Sequence, residues 1–163
     1  MTHDSRPSRE DNAGVRIPPP LIFALPLVAG LILHRFWPLV AFSAATGGVI
    51  RRVGAVLAIL ALALTYWAIF SFRRMGTTVV PVQPATALVL RGPYRFSRNP
   101  MYLAMTLLYL GICCWALALW SLLFLPVVLV IIQRSVIGRE EAYLGRRFGD
   151  DYRRYLTQVR RWI

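Results

Sequence analysis

Two short stretches hold the residue types that could do chemistry. Residues 91–102, RGPYRFSRNPMY, set three arginines, two tyrosines, two prolines and a glycine between long apolar runs. The adjacent pair Glu140-Glu141 lies in GREEAYLGRRFGDDYRRYLTQVRRWI. Gly92-Pro93 is turn chemistry, since glycine tolerates positive φ and proline presets φ near −65°. Ser97 and Asn99 are good N-cap residues, and Pro100 suits the first helical position, where its missing N–H would go unpaired anyway. The pattern predicts a loop ending at Asn99 and a helix starting at Pro100. A helix start with free N–H groups, set among arginines, is a place to hold a carboxylate or phosphate. The plain alternative is a basic loop that only sets topology.

The glutamate pair needs its own explanation. At an anionic membrane surface two adjacent carboxylates are repelled unless they pair with arginines or bind a cation. A pocket shared by both stretches would offer arginines and a helix N-terminus at one end and carboxylates at the other. A ligand matching both ends carries a carboxylate, cationic groups and ribose hydroxyls, as S-adenosylmethionine does.

The elements that position these stretches are apolar. The chain of 163 residues is 57% hydrophobic and only 16% charged, which is too apolar for a soluble domain of this length. Its net charge of +12 is carried entirely by arginines, 19 in all. They flank apolar spans rather than forming one basic face, so anionic lipid headgroups explain them and nucleic acid does not. Cys113 and Cys114 are adjacent within an apolar run, and neither His3 nor His34 has a partner at metal-ligand spacing, so no metal site is expected.

Residues 1–16 read as a polar, disordered leader, and 17–163 as a single membrane domain with its cofactor-binding core over about 73–163. Residues 17–33 are an uncharged span containing Pro26. Residues 38–50, with Gly47-Gly48, read as a loop or a surface-lying segment. Residues 53–72 form the clearest span, bounded by Arg51-Arg52 and Arg73-Arg74. Residues 76–90 read as irregular backbone that could wall a site. Residues 99–133 carry no charge and fit a tight hairpin of two short helices turning around 114–118, with Pro126 kinking the return. In the tail, Leu144, Phe148, Tyr152, Tyr155 and Val159 recur at helical spacing, making an amphipathic helix, and Phe148-Gly149 reads as a stop with Asp150 capping a final turn. Arg160-Arg161-Trp162 reads as an interfacial anchor. The fold class is therefore all-α integral membrane, with about four transmembrane helices and a C-terminal amphipathic helix. All but three of the 19 arginines (Arg35, Arg51, Arg52) fall on one side, which predicts a cytoplasmic site and cytoplasmic termini.

GPYRFSRNPMYLA, a hydrophobic hairpin and then REEAYLGRRFGDDYRRYLTQVRRWI together resemble the isoprenylcysteine carboxyl methyltransferase and phospholipid methyltransferase superfamily, in its small bacterial members. The likeness covers roughly residues 53–163. It implies a bacterial inner-membrane methyltransferase that uses S-adenosylmethionine without a Rossmann domain. By the family pattern Gly92, Tyr94, Arg98, Asn99, Pro100 and Tyr102 form one wall of the cofactor site, and Glu140 and Glu141 the other. Tyr152, Tyr155 and Arg161 lie close by. Arg95 or Arg161 is the expected catalytic arginine, orienting a lipophilic or small acceptor (a carboxylate, thiol or lipid headgroup) that enters from the bilayer. Three departures stand out: Asn99 where many members have His, Ala104 for a glycine, and Val80 and Val82 where Asn and His are usual. Two rival readings are a non-catalytic membrane subunit that keeps the fold and a sterol-reductase-like NADPH enzyme.

Overall fold

The computed structural model describes residues 17–74, 76 and 88–163, and among these it is all-helical. The segment 77–87, which holds Val80 and Val82, and residues 1–16 lie outside the described residues. Helix α1 spans Pro19–Phe36, α2 Ala44–Arg74, α3 Pro100–Ala116, α4 Leu119–Ile132 and α5 Gly138–Gln158. A 3₁₀ turn at Gly92–Arg95 precedes α3, and a π-helical segment at Gln133–Ile137 joins α4 to α5. By length and composition α1, α2 and the continuous Leu119–Gln158 rod can cross a membrane, and α3 is a shorter apolar helix. Their exposed faces carry Leu25, Ile59, Leu62 and Val127, which suits lipid contact.

Helix α2 packs mainly along α3, and α1 along α4. Small residues let α2 and α3 meet closely: a Cβ at Gly54 would stand 2.6 Å from the Gly111 carbonyl oxygen. Helices α1, α3 and α4 are joined by polar contacts. The Ser121 hydroxyl donates to the Leu27 carbonyl (3.0 Å), and the Tyr109 hydroxyl donates to the Ser121 carbonyl (2.7 Å). The buried core runs through Phe23, Tyr109, Val128 and Ile132 to Val136, Ile137 and Tyr143.

The hairpin turns where the sequence places it. Helix α3 ends at Ala116 and Leu117 takes up the left-handed conformation (φ 56°), its N–H bonded back to Cys113 and Cys114. One expectation is corrected. Residues 38–50 are not all loop, because α2 already begins at Ala44. There Ser43 accepts from the Thr46 N–H at 3.2 Å, and this cap outweighs the low helical propensity of Gly47-Gly48. Arg51 and Arg52 thus stand exposed inside the helix rather than before it. The charge-free part of the last span ends at Gln133, as the sequence places it, and the helix itself continues through the π segment into the polar α5. The expected break at Phe148-Gly149 is present as a kink, with Gly149 at φ 53° and ψ −122°. The α5 stripe turns inward, burying Tyr152 and Tyr155.

Candidate functional site

The site forms where the start of α3, the first two turns of α5 and residues 159–163 meet. The 3₁₀ turn is seated against α2 by Gly92 (φ 63°), where a Cβ would run into the Ser71 side chain and stand 3.1 Å from the Trp67 indole nitrogen. Tyr94 is buried beside Ala68, Val89 and Phe72, its ring edge-on to Phe72. The backbone then reaches Ser97, whose Oγ accepts from the Asn99 N–H at 3.1 Å. Pro100 opens α3, which brings Tyr102 in its first turn to face α5.

On the facing helix, Glu140 and Glu141 take different partners. The Tyr102 hydroxyl donates to Glu140 Oε1 at 2.7 Å. Glu141 receives two guanidinium groups: Arg98 Nη1 at 3.1 Å, and Arg161 through Nε at 3.0 Å and Nη2 at 2.6 Å. The sequence suggests arginines and carboxylates at opposite ends of a pocket, whereas here they are in direct contact. Side-chain exposures of 15% for Arg98 and 16% for Glu141 make this a largely desolvated pair. Arg98 Nε is buried and has no hydrogen-bond partner.

The electrostatics follow from that burial. Burial pushes the Glu140 carboxyl up from its ordinary 4.5 to about 7; the Tyr102 hydroxyl pulls the other way, and the neighbouring Glu141 adds to the rise. Burial likewise pushes Tyr152 up to about 12, Glu141 adding and Arg98 opposing. Tyr94 and Tyr155 are raised for the same first reason. The hydrogen bonds to Glu141 hold the Arg161 guanidinium above its usual range. Two guanidinium groups thus meet on Glu141, while burial disfavours the charged form of the neighbouring Glu140. Arg98 Nε is left beside them without a partner.

Most of the sequence-predicted residues converge here. Arg98, Asn99, Pro100, Tyr102, Glu140, Glu141 and Arg161 lie within one connected cluster, and Tyr94 joins it through the Tyr155 hydroxyl, which donates to the Tyr94 carbonyl at 2.7 Å. Arg95 is different: it is exposed on the 3₁₀ turn, outside the cluster. Asn99 sits at the N-cap position but its side chain does not cap the helix. Its Nδ2 donates instead to the Arg161 carbonyl at 2.9 Å. Gln133 and Trp162 also take part, the indole N–H donating to Gln133 Oε1 at 3.3 Å. Spacing offers no signal for that pair, because it bridges the end of an uncharged run and a segment that reads as an anchor.

A model of the family described as phospholipid methyltransferase matches residues 49–151, over half of the chain, including residues 91–102 and Glu140-Glu141 but ending before Arg161. An uncharacterized protein of Haemophilus influenzae is 40% identical over 63 residues, which are 39% of this chain and the whole of that protein.

Proposed function

The chain belongs to the phospholipid methyltransferase family, and from that premise we propose that it is an integral-membrane methyltransferase dependent on S-adenosylmethionine. The acceptor, a lipid headgroup or a small carboxylate or thiol, comes from the bilayer to a site on the cytoplasmic face. The observation that carries this reading is the partly buried cluster of Arg98, Arg161, Glu140 and Glu141, with Arg98 Nε unpaired.

The residues present fit the methyl donor. A zwitterionic amino-acid end needs an anion site beside a cation site. Arg98 Nε and the adjacent start of α3 offer the first, and Glu140 offers the second. Tyr94 and Tyr102 supply aromatic surface for the adenine. When bound, S-adenosylmethionine supplies an electrophilic methyl group on a sulfonium.

The chain's own task is to align and to exclude water. Arg98 and Glu140, on different elements, fix two points of the donor, and such alignment contributes up to ~7–11 kcal/mol of barrier reduction. Glu141 holds both Arg98 and Arg161, so neither guanidinium must reorganise when the anion arrives. Arg161 is then placed to orient an anionic acceptor. A carboxylate or thiolate acceptor requires no strong base, and Glu140 with its raised pKa serves to take a proton where the acceptor carries one.

The test is calorimetric titration of S-adenosylhomocysteine into the purified full chain, beside a Glu140→Gln/Glu141→Gln variant. Binding by the wild type that is lost in the variant supports the reading. A folded wild type that binds nothing refutes it and favours a non-catalytic subunit. The second reading has one observation of its own: Glu141 itself pairs with both Arg98 and Arg161.

A further inference from the structure

Residues 159–163 leave α5 as irregular backbone, with Val159 extended (φ −126°, ψ 133°) and bends at 159 and 161, and return to Arg98 and Asn99. They are anchored on two sides. On the α3 side, the Arg98 N–H donates to the Arg160 carbonyl at 3.0 Å and Asn99 Nδ2 donates to the Arg161 carbonyl at 2.9 Å. On the α4 side, the Trp162 indole N–H meets Gln133 Oε1, and its ring packs against the Ile132–Ile137 core. Gln133 is also the first residue of the π segment, where its carbonyl accepts from the Gly138 N–H. A π segment re-aims the helix that follows it and is frequent at functional sites. Here that helix is the one that carries Glu140 and Glu141.

We propose that residues 159–163 are a strap closing the site, and that Asn99 and Trp162 are positioning residues which hold this strap so that Arg161 stays seated on Glu141. On the methyltransferase reading, Asn99 acts on the donor indirectly, by keeping Arg161 on Glu141 and so Glu141 set against Arg98, and not by touching it. The chemistry of the amide carries the argument. An Asn that served only as a helix cap would turn its side chain to the N–H groups of α3; this one spends a donor on a main-chain carbonyl 62 positions away in sequence. The α3 start is served instead by Ser97 and by Pro100, which has no N–H to satisfy.

Asn99→Asp separates the possibilities. Aspartate caps a helix as well as asparagine and is favoured by the helix dipole, so a capping role predicts unchanged stability. In the positioning role the substitution sets an acceptor against the Arg161 carbonyl and frees the strap. The experiment measures amide hydrogen exchange at Arg98 and S-adenosylhomocysteine affinity, on the full chain in detergent. With the fold retained, we expect the Arg98 amide to exchange about tenfold faster and affinity to fall about tenfold, as for one lost hydrogen bond. Trp162→Phe, which removes the indole N–H together with part of the ring, should move both readouts the same way and stands in should Asn99→Asp not fold. Wild-type exchange and affinity in both variants would overturn the strap. Lost affinity with Arg98 still protected would make Asn99 a direct ligand and overturn its positioning role. If the wild type binds no S-adenosylhomocysteine, the methyltransferase reading fails, and exchange at Arg98 alone upholds or overturns the strap.

Discussion

Glu141→Gln should cost this protein far more stability than a surface ion pair can. Glu141 accepts three contacts of 3.1 Å or less from two arginines. Gln keeps the shape and one acceptor oxygen but removes the charge, and its NH₂ faces guanidinium donors. Arg98, 15% exposed and already lacking a partner at Nε, is left with an uncompensated charge. Breaking a buried pair costs about 3–5 kcal/mol. Arg161, at 38% exposure, recovers part of its hydration, so its share is discounted and we expect about 2–3 kcal/mol in total. Asp150→Asn is the matched control: its pair with Arg153 is 78% exposed on both sides and should be worth under about 0.5 kcal/mol. Thermal unfolding of the three proteins in one detergent, without ligand, reads the difference. A Glu141→Gln variant that melts with the wild type, or an Asp150→Asn variant that loses as much, refutes the desolvated-pair account.

Three more outcomes follow from the structure. Because burial raises the Glu140 carboxyl to about 7, the folded protein binds a proton that the unfolded chain releases from about 4.5 upward. Stability should therefore fall as pH rises between those values and level off above about 7, and Glu140→Gln should remove this decline in melting temperature. Tyr102→Phe deletes the hydrogen bond that holds the Glu140 value down, so the end of the decline should move to higher pH. At the α2–α3 crossing, a Cβ on Gly111 would meet the Gly54 oxygen at 2.9 Å and the Ala58 nitrogen at 3.0 Å. Both are backbone atoms, so Gly111→Ala should cost about 1–3 kcal/mol, whereas Gly48→Ala, with nothing within 4 Å, should gain about 0.5–1 kcal/mol; denaturant melts compare them.

Local chemistry was enough to lay out the membrane elements. The uncharged runs bounded by arginines locate α1, α2 and the α3–α4 hairpin, because a helix in lipid must satisfy its backbone internally and advertises itself by composition. Pro100 after Asn99 starts α3 for reasons contained in two residues, and Gly149 kinks α5 as a glycine after an amphipathic run should. The two stretches that meet at the candidate site stand out in the same way, as a motif beside Pro100 and a charge pair out of place in an anchor.

What the tertiary structure decided is how those residues meet. Glu141 is shared by Arg98 and Arg161, Glu140 faces Tyr102, and the Asn99 amide turns away from its own helix to Arg161. Each contact joins segments at least 20 positions apart. Their register depends on the π segment at Gln133–Ile137 and on the close approach of α2 to α3, neither of which leaves a periodic trace in the chain. Arg95 makes the same point from the other side: it has the same type as Arg98 and lies three positions away, yet the 3₁₀ turn exposes it to solvent while Arg98 is buried against Glu141. Residue type and spacing name the candidates, but burial selects among them, because only a group taken out of water must be paired.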